Sequence, residues 1–71
     1  MPKFDVENTF TYHKPFGTQQ TRYEHLRELA KKLANTIEIE VPDSREKSLA
    51  FTSLQQTIMW ANAAIAINEK E

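Results

Sequence analysis

From Tyr23 onward the apolar positions fall at helical intervals. Tyr23, Leu26, Ala30, Leu33 and Ile37 advance by three, four, three and four, which predicts an amphipathic helix, and Leu29 broadens its stripe. Gly17 precedes this helix. Thr18 is one N-cap candidate, and Thr21 with Glu24 three residues on is a capping-box pattern that competes with it one turn later. The β-branched Thr36, Ile37, Ile39 and Val41 weaken the far end, and Pro42 stops it because the residue before proline avoids the helical region. The next run, Asp43 to Asn68, contains neither glycine nor proline and predicts a second helix. Asp43 or Ser44 caps it, with Glu46 placed to close a box from Asp43. So short a connection makes the two helices antiparallel neighbours, an αα-hairpin.

The second helix is apolar on more than one side. Ala50, Leu54, Ile58, Ala61 and Ile65 make one face, and Met59, Trp60, Ala63 and Ile67 make another. Between Ile58 and Ile67 only Asn62 is polar. A helix of this kind must be covered from several sides, and the rest of the chain is too short to do it. Ala61, Ala63, Ala64 and Ala66 let another backbone approach closely. The first helix covers one face, so the face of Trp60, Met59, Ala63 and Ile67 is expected to meet another copy of the chain. Asn62, if buried, needs a hydrogen-bond partner. It reads best as a register-setting contact at that subunit interface.

Residues 1–17 show no helical period and are punctuated by Pro2, Pro15 and Gly17. They nevertheless hold Phe4, Phe10, Tyr12 and Phe16, so an extended arm docked on something is expected rather than a disordered tail. A short β-like stretch could form around Thr9 to Tyr12. The organisation is an arm over 1–17 and a helical hairpin over 18–71, one domain in all.

Composition narrows the support available to this fold. At 71 residues a single chain is marginally stable without disulfides, metal or association. There is no cysteine, and His13 and His25 lack the paired spacing of zinc sites, which leaves association and predicts no metal or cofactor. The formal charge of −1 conceals a basic stretch: residues 12–37 carry Lys14, Arg22, Arg27, Lys31 and Lys32 against Glu24 and Glu28. That distribution suits a compact anionic ligand better than a DNA duplex, which wants a broader basic footprint. No signal peptide is apparent, and the apolar run is far short of the roughly twenty residues that span a bilayer. A cytoplasmic protein without a membrane partner is expected.

Two clusters could carry chemistry. In TFTYHKPFG, Tyr12 puts a stacking ring beside His13 and Lys14, a composition suited to nucleotides because bases offer π-faces and phosphates want charge-assisted donors. The same aromatics would also serve to pack the arm onto the helices. On the first helix Arg27 and Lys31 stand four residues apart, where like charges repel slightly. An anion would compensate them; so would pairs of Glu24 with Arg27 and Glu28 with Lys32. Arg22, near the helix N-terminus, adds a third cation. Catalysis finds no support: there is no nucleophile elbow, no HExxH, no phosphate-binding glycine loop and no paired carboxylates in an apolar setting.

Taken together, FTYHKPFG, TRYEHLRELAKKLA and PDSREKSLAFTSLQQTIMWANAAIAINE resemble the small phage anti-CBASS sponge family, which shares a helical-hairpin domain with phage anti-Thoeris sponges. The resemblance covers roughly residues 9 to 69. MWANAAIA and the run through Arg22, Tyr23, Glu24 and Arg27 are its most specific parts.

What the resemblance implies goes further than periodicity. Members form homo-oligomers, typically hexamers, that hold cyclic dinucleotides such as 3′,3′-cyclic GMP-AMP between protomers without cleaving them. Some also take cyclic trinucleotides at separate pockets. An aromatic of the arm stacks on a base and a basic residue of the first helix holds phosphate. Tyr12 matches the first role and Arg27 the second, with His13, Lys14 and Lys31 as further candidates. The setting is the cytoplasm of an infected bacterium. An extra N-terminal domain of the anti-Thoeris type is not expected, so a cyclic-ADP-ribose-type ligand is the second expectation. A helical module that caps another protein through its Trp60 face is the rival class, and a hydrolase of cyclic nucleotides would need a histidine pair or metal cluster.

Overall fold

The computed structural model describes residues 3–71 and is all-helical over them: α1 (Val6–Phe10), α2 (Gln19–Glu40) and α3 (Arg45–Asn68). The two long helices form the expected antiparallel hairpin. At 1.5 Å per residue each is roughly 35 Å long, which sets the 43 Å long axis of the molecule. No described helix is long and apolar enough to cross a membrane.

The helices meet along a thin seam. Tyr23, Leu26, Ala30, Ala34 and Ile37 of α2 are half-buried, as are Phe51, Leu54, Ile58, Ala61, Asn62 and Ile65 of α3, but no apolar side chain among the described residues is fully buried. The accessible surface is 6128 Å², against about 4,600 Å² for a compact monomer of this mass. The radius of gyration is 15.3 Å, where a compact chain of this length has about 11 Å. A hairpin that leaves Leu29, Leu33, Met59 and Trp60 at least half exposed has apolar surface to spare on both helices.

The tight α2–α3 connection is held by Ser44 and Lys47. Ser44 has extended backbone (φ −170°, ψ 168°), and its Oγ accepts the Lys47 N–H at 3.1 Å, the N-cap bond of α3. The Lys47 side chain is buried and its ammonium donates to the Glu38 carbonyl (3.1 Å) and to Asp43 Oδ1 (3.0 Å). A cation thus satisfies one of the free carbonyls that end α2, where the helix dipole favours positive charge. Asp43 raises the Lys47 pKa, against the opposing pull of burial.

The structure corrects five details of the sequence reading. The arm is not extended throughout. Asp5 caps a single helical turn by accepting the Asn8 N–H at 3.0 Å, so Thr9 and Phe10 are helical, and extended backbone begins only at Thr11. Five residues are too few to display a period. The capping box at Thr21 and Glu24 lies inside α2, which starts one turn earlier. Thr18 occupies the N-cap position without a side-chain cap, its hydroxyl accepting from Arg22 Nε at 3.1 Å instead. The box from Asp43 to Glu46 is not made either, because Ser44 is the cap and places Lys47 third. On α3 it is Phe51, not Ala50, that starts the packed face, and on α2 Ala34 replaces Leu33, which is half exposed.

Candidate ligand-binding site

The segment that carries Tyr12, His13 and Lys14 is a short bridge between two anchors. Before it, Asn8 Nδ2 donates to the Ile67 carbonyl of α3 at 2.9 Å, and the His13 ring donates through Nε2 to the Asn8 carbonyl at 2.7 Å. Behind it, the Phe16 carbonyl accepts from the Gln19 N–H and the Phe16 N–H donates to Gln19 Oε1, at 3.0 and 3.1 Å. Gly17 makes this return possible. Its φ of +57° precedes a Thr18 at φ −90°, ψ 6°, the sign pattern of a type II′ turn, whose first central residue is normally glycine.

Gln19 passes the tether on to α3. It is 2% exposed, and its Nε2 donates to Glu69 Oε1 at 3.1 Å. Arg22, one turn further along α2, grips the same carboxylate with both terminal nitrogens, at 2.7 and 2.6 Å. The Arg22 bond, reinforced by Gln19, holds the Glu69 carboxyl at about 2 against the upward pull of burial, and Glu69 in turn raises the pKa of Arg22. Arg22 is therefore engaged within the chain, not free for an anion.

Held in this way, Tyr12 projects outward, 81% exposed. With His13, Lys14, Phe16 and residues Glu69 to Glu71 it lines a cleft of about 260 Å³. Phe16 is half-buried, whereas Phe10 is exposed and its ring meets that of Phe4 edge to face at 6.3 Å. Intrachain packing thus accounts for Phe16 but not for Tyr12.

Arg27 and Lys31 lie elsewhere. They rim a groove of about 550 Å³ between α2 and α3, floored by Ala30, Ala34, Phe51, Leu54, Ile58 and Met59. On their other side they share a smaller cleft with Glu24 and Glu28. The pairs of Glu24 with Arg27 and Glu28 with Lys32 do not form: among the described residues the ion pairs are Arg22 with Glu69 and Lys47 with Glu38 and Asp43. Among the described residues Arg27 and Lys31 accordingly have no ion-pair partner at the mouth of an apolar groove. Tyr12 and Arg27 thus line different clefts of the chain.

Asn62 lies at the groove as well, and its Oδ1 is buried without a hydrogen-bond partner among the described residues. Met59 and Trp60 are 60% and 74% exposed, while Ala63 and Ile67 are half-buried. Part of the outer face of α3 is thus already used by the arm, through Ile67.

Neither Gln19 nor Glu69 stands out in the sequence, and Arg22, a cation expected near a helix N-terminus that attracts anions, is taken up by Glu69 instead. A usable signal exists: continuing the α2 stripe backwards from Leu26 gives Arg22 and Gln19, and continuing the α3 face forwards from Ile65 gives Glu69. Antiparallel pairing brings these polar extensions together at one end of the hairpin.

No curated protein and no solved structure matches the chain. Residues 3–66 match the family model of the Acb2/Tad1 hairpin domain. That span covers the docked arm and nearly all of both long helices, and the family is one of phage sponges for cyclic nucleotide signals. The chain belongs to the Acb2/Tad1 hairpin-domain family.

Proposed function

We propose that this protein binds the cyclic dinucleotide messengers of CBASS immunity and holds them intact, in a homo-oligomer whose sites are shared between protomers. Cyclic trinucleotides at separate pockets are a further ligand class, and the setting is the cytoplasm of the infected bacterium. The observation that carries the reading is the separation of the two halves of the site. Each chain presents an exposed Tyr12 ring on a tethered arm at one end and an unpaired Arg27–Lys31 pair in a groove further along α2.

A second copy supplies what one chain lacks. Tyr12 stacks on a base, Arg27 holds phosphate through charge-assisted bonds, and Lys31, His13 and Lys14 add donors around them. The surface in excess of a compact monomer, about 1,500 Å², exceeds the roughly 800 Å² that each partner contributes to a standard interface. Trp60, Met59, Ala63, Ile67 and Asn62 are the residues assigned to it, and a hexamer is the assembly the resemblance favours.

Sequestration needs no chemistry from the protein, only affinity and abundance. The test is to load the purified protein with cyclic dinucleotide, heat-denature it and chromatograph what is released. Intact cyclic nucleotide supports a sponge; linear product makes the protein an enzyme. The family model spans anti-Thoeris members too, so cyclic ADP-ribose-type signals are the second ligand class to try.

A further inference from the structure

We infer that the clasp of Gln19, Arg22 and Glu69 is a positioning device for the Tyr12 segment, and that Glu69 governs ligand affinity without itself contacting ligand. This rests on the sponge reading above and adds to it a residue beyond the matched span of residues 3–66.

The Tyr12 segment has few restraints of its own. Among the described residues, the side-chain bonds that tie it to α3 run through Asn8 to Ile67 on one side and through Gln19 to Glu69 on the other. The second route is continuous: the Phe16 N–H on Gln19 Oε1, Gln19 Nε2 on Glu69 Oε1, and Glu69 fixed by two Arg22 bonds. Gln19 is the most deeply buried side chain described, so its amide is held in one orientation by groups on both sides. Turning Gln19 to suit another partner would break the Phe16 bond.

Glu69 also lines the cleft beside Tyr12, where a free carboxylate would repel a phosphodiester. It does not act as one. Both of its oxygens accept from Arg22, and one accepts from Gln19 as well, so its charge is neutralised and its lone pairs are largely used. The carboxylate is thus placed to orient the arm and unsuited to contact the ligand. Restraining a binding segment in its bound position raises affinity by lowering the ordering cost of binding.

The test compares the full-length wild type, the isosteric Glu69→Gln and the charge-swapped pair Arg22→Glu with Glu69→Arg. Amide hydrogen exchange is measured on the ligand-free protein, oligomer size by light scattering, and affinity for 3′,3′-cyclic GMP-AMP by calorimetry. Glu69→Gln is expected to speed exchange at the Phe16 and Gln19 amides by about tenfold or more and to weaken binding by a similar factor, roughly that of one charge-assisted contact. Exchange at the hairpin centre, around Ala30 and Ile58, is expected to speed by much less than at Phe16, oligomer size to stay unchanged, and the swapped pair to recover part of both losses. Unchanged exchange at Phe16, or faster exchange with unchanged affinity, overturns the inference. Equal acceleration at the hairpin centre also overturns it, because the clasp would then be a general stability contact. A wild type that takes up no cyclic dinucleotide would defeat the sponge reading instead, while exchange at Phe16 would still decide whether Glu69 holds the arm.

Discussion

Arg22 and Glu69 are 47 positions apart in sequence and meet through a two-pronged ion pair, with N–O distances of 2.7 and 2.6 Å. This pair closes the open end of the hairpin, opposite the Ser44–Lys47 connection, and its position beside Gln19 makes it the base on which the arm stands.

That pair makes the fold sensitive to acid. The Glu69 carboxyl is held at about 2 in the folded chain, below its ordinary 4.5. Its contribution to stability is present above about pH 4.5 and is lost as pH falls toward 2. Thermal melts of wild type and Glu69→Gln at low salt are expected to differ at pH 6, to converge as pH approaches 2, and to show the smaller separation in high salt. A gap that stays constant down to pH 2 would show that the pair does not titrate as described.

At the other end the sign reverses. The Lys47 pKa is raised above its ordinary 10.5 by its bond to Asp43. Its contribution is complete below that value and is lost as pH rises through the folded pKa. Lys47→Met removes the donor while leaving the Glu38 carbonyl without its cationic partner. The melting temperature is expected to drop on the order of 5 °C at pH 7, with Lys47→Arg losing less.

The N-cap at Ser44 gives a local check on the same turn. Replacing Ser44 by alanine deletes the bond to the Lys47 N–H and is expected to cost about 1 kcal/mol, read from denaturant midpoints. Asp43→Asn tests the rejected cap. It should disturb the Lys47 ammonium and leave the helix start unchanged by NMR secondary shifts.

Asn62 tests the interface. Its Oδ1 is buried without a partner among the described residues, a situation that costs about 1–3 kcal/mol unless another group donates to it. If a second copy provides that donor, Asn62→Leu leaves the donor without its acceptor and is expected to lower the melting temperature while broadening the distribution of assemblies in native mass spectrometry. A single, unchanged assembly would mean that Asn62 does not set register.

Much of the hairpin was legible because it rests on repetition. The three-and-four spacing from Tyr23 to Ile37, the stop at Pro42 and the serine that caps α3 are local signals, and each appears in the structure. What escaped was either too short or too far apart in sequence. The α1 turn is five residues long, held by Asp5 and by docking of Asn8 on Ile67, so no periodicity could reveal it. Phe51 instead of Ala50 on the packed face reflects the choice between two adjacent positions at the edge of a stripe, which contact with α2 decides. The clasp unites residues 19, 22 and 69, and polar residues carry no hydrophobic period to announce such a meeting. The candidate site was legible as residue types, but the sequence alone does not show that Tyr12 and Arg27 occupy different clefts of one chain.

The proposal of a site shared between protomers is tested most simply by pairing two defects. Tyr12→Ala and Arg27→Ala are each expected to abolish binding while the assembly stays intact by light scattering, because Tyr12 is exposed and Arg27 has no ion pair among the described residues. Unfolding the two variants together and refolding them as a mixture is then expected to restore a fraction of the sites, since some would combine an intact arm with an intact groove.

The measurement that bears most directly on the central claim is a calorimetric titration of the wild-type protein with 3′,3′-cyclic GMP-AMP. Saturable binding, absent in both Tyr12→Ala and Arg27→Ala, is the predicted result. No heat with the dinucleotide, or binding that both variants retain in full, would contradict the account.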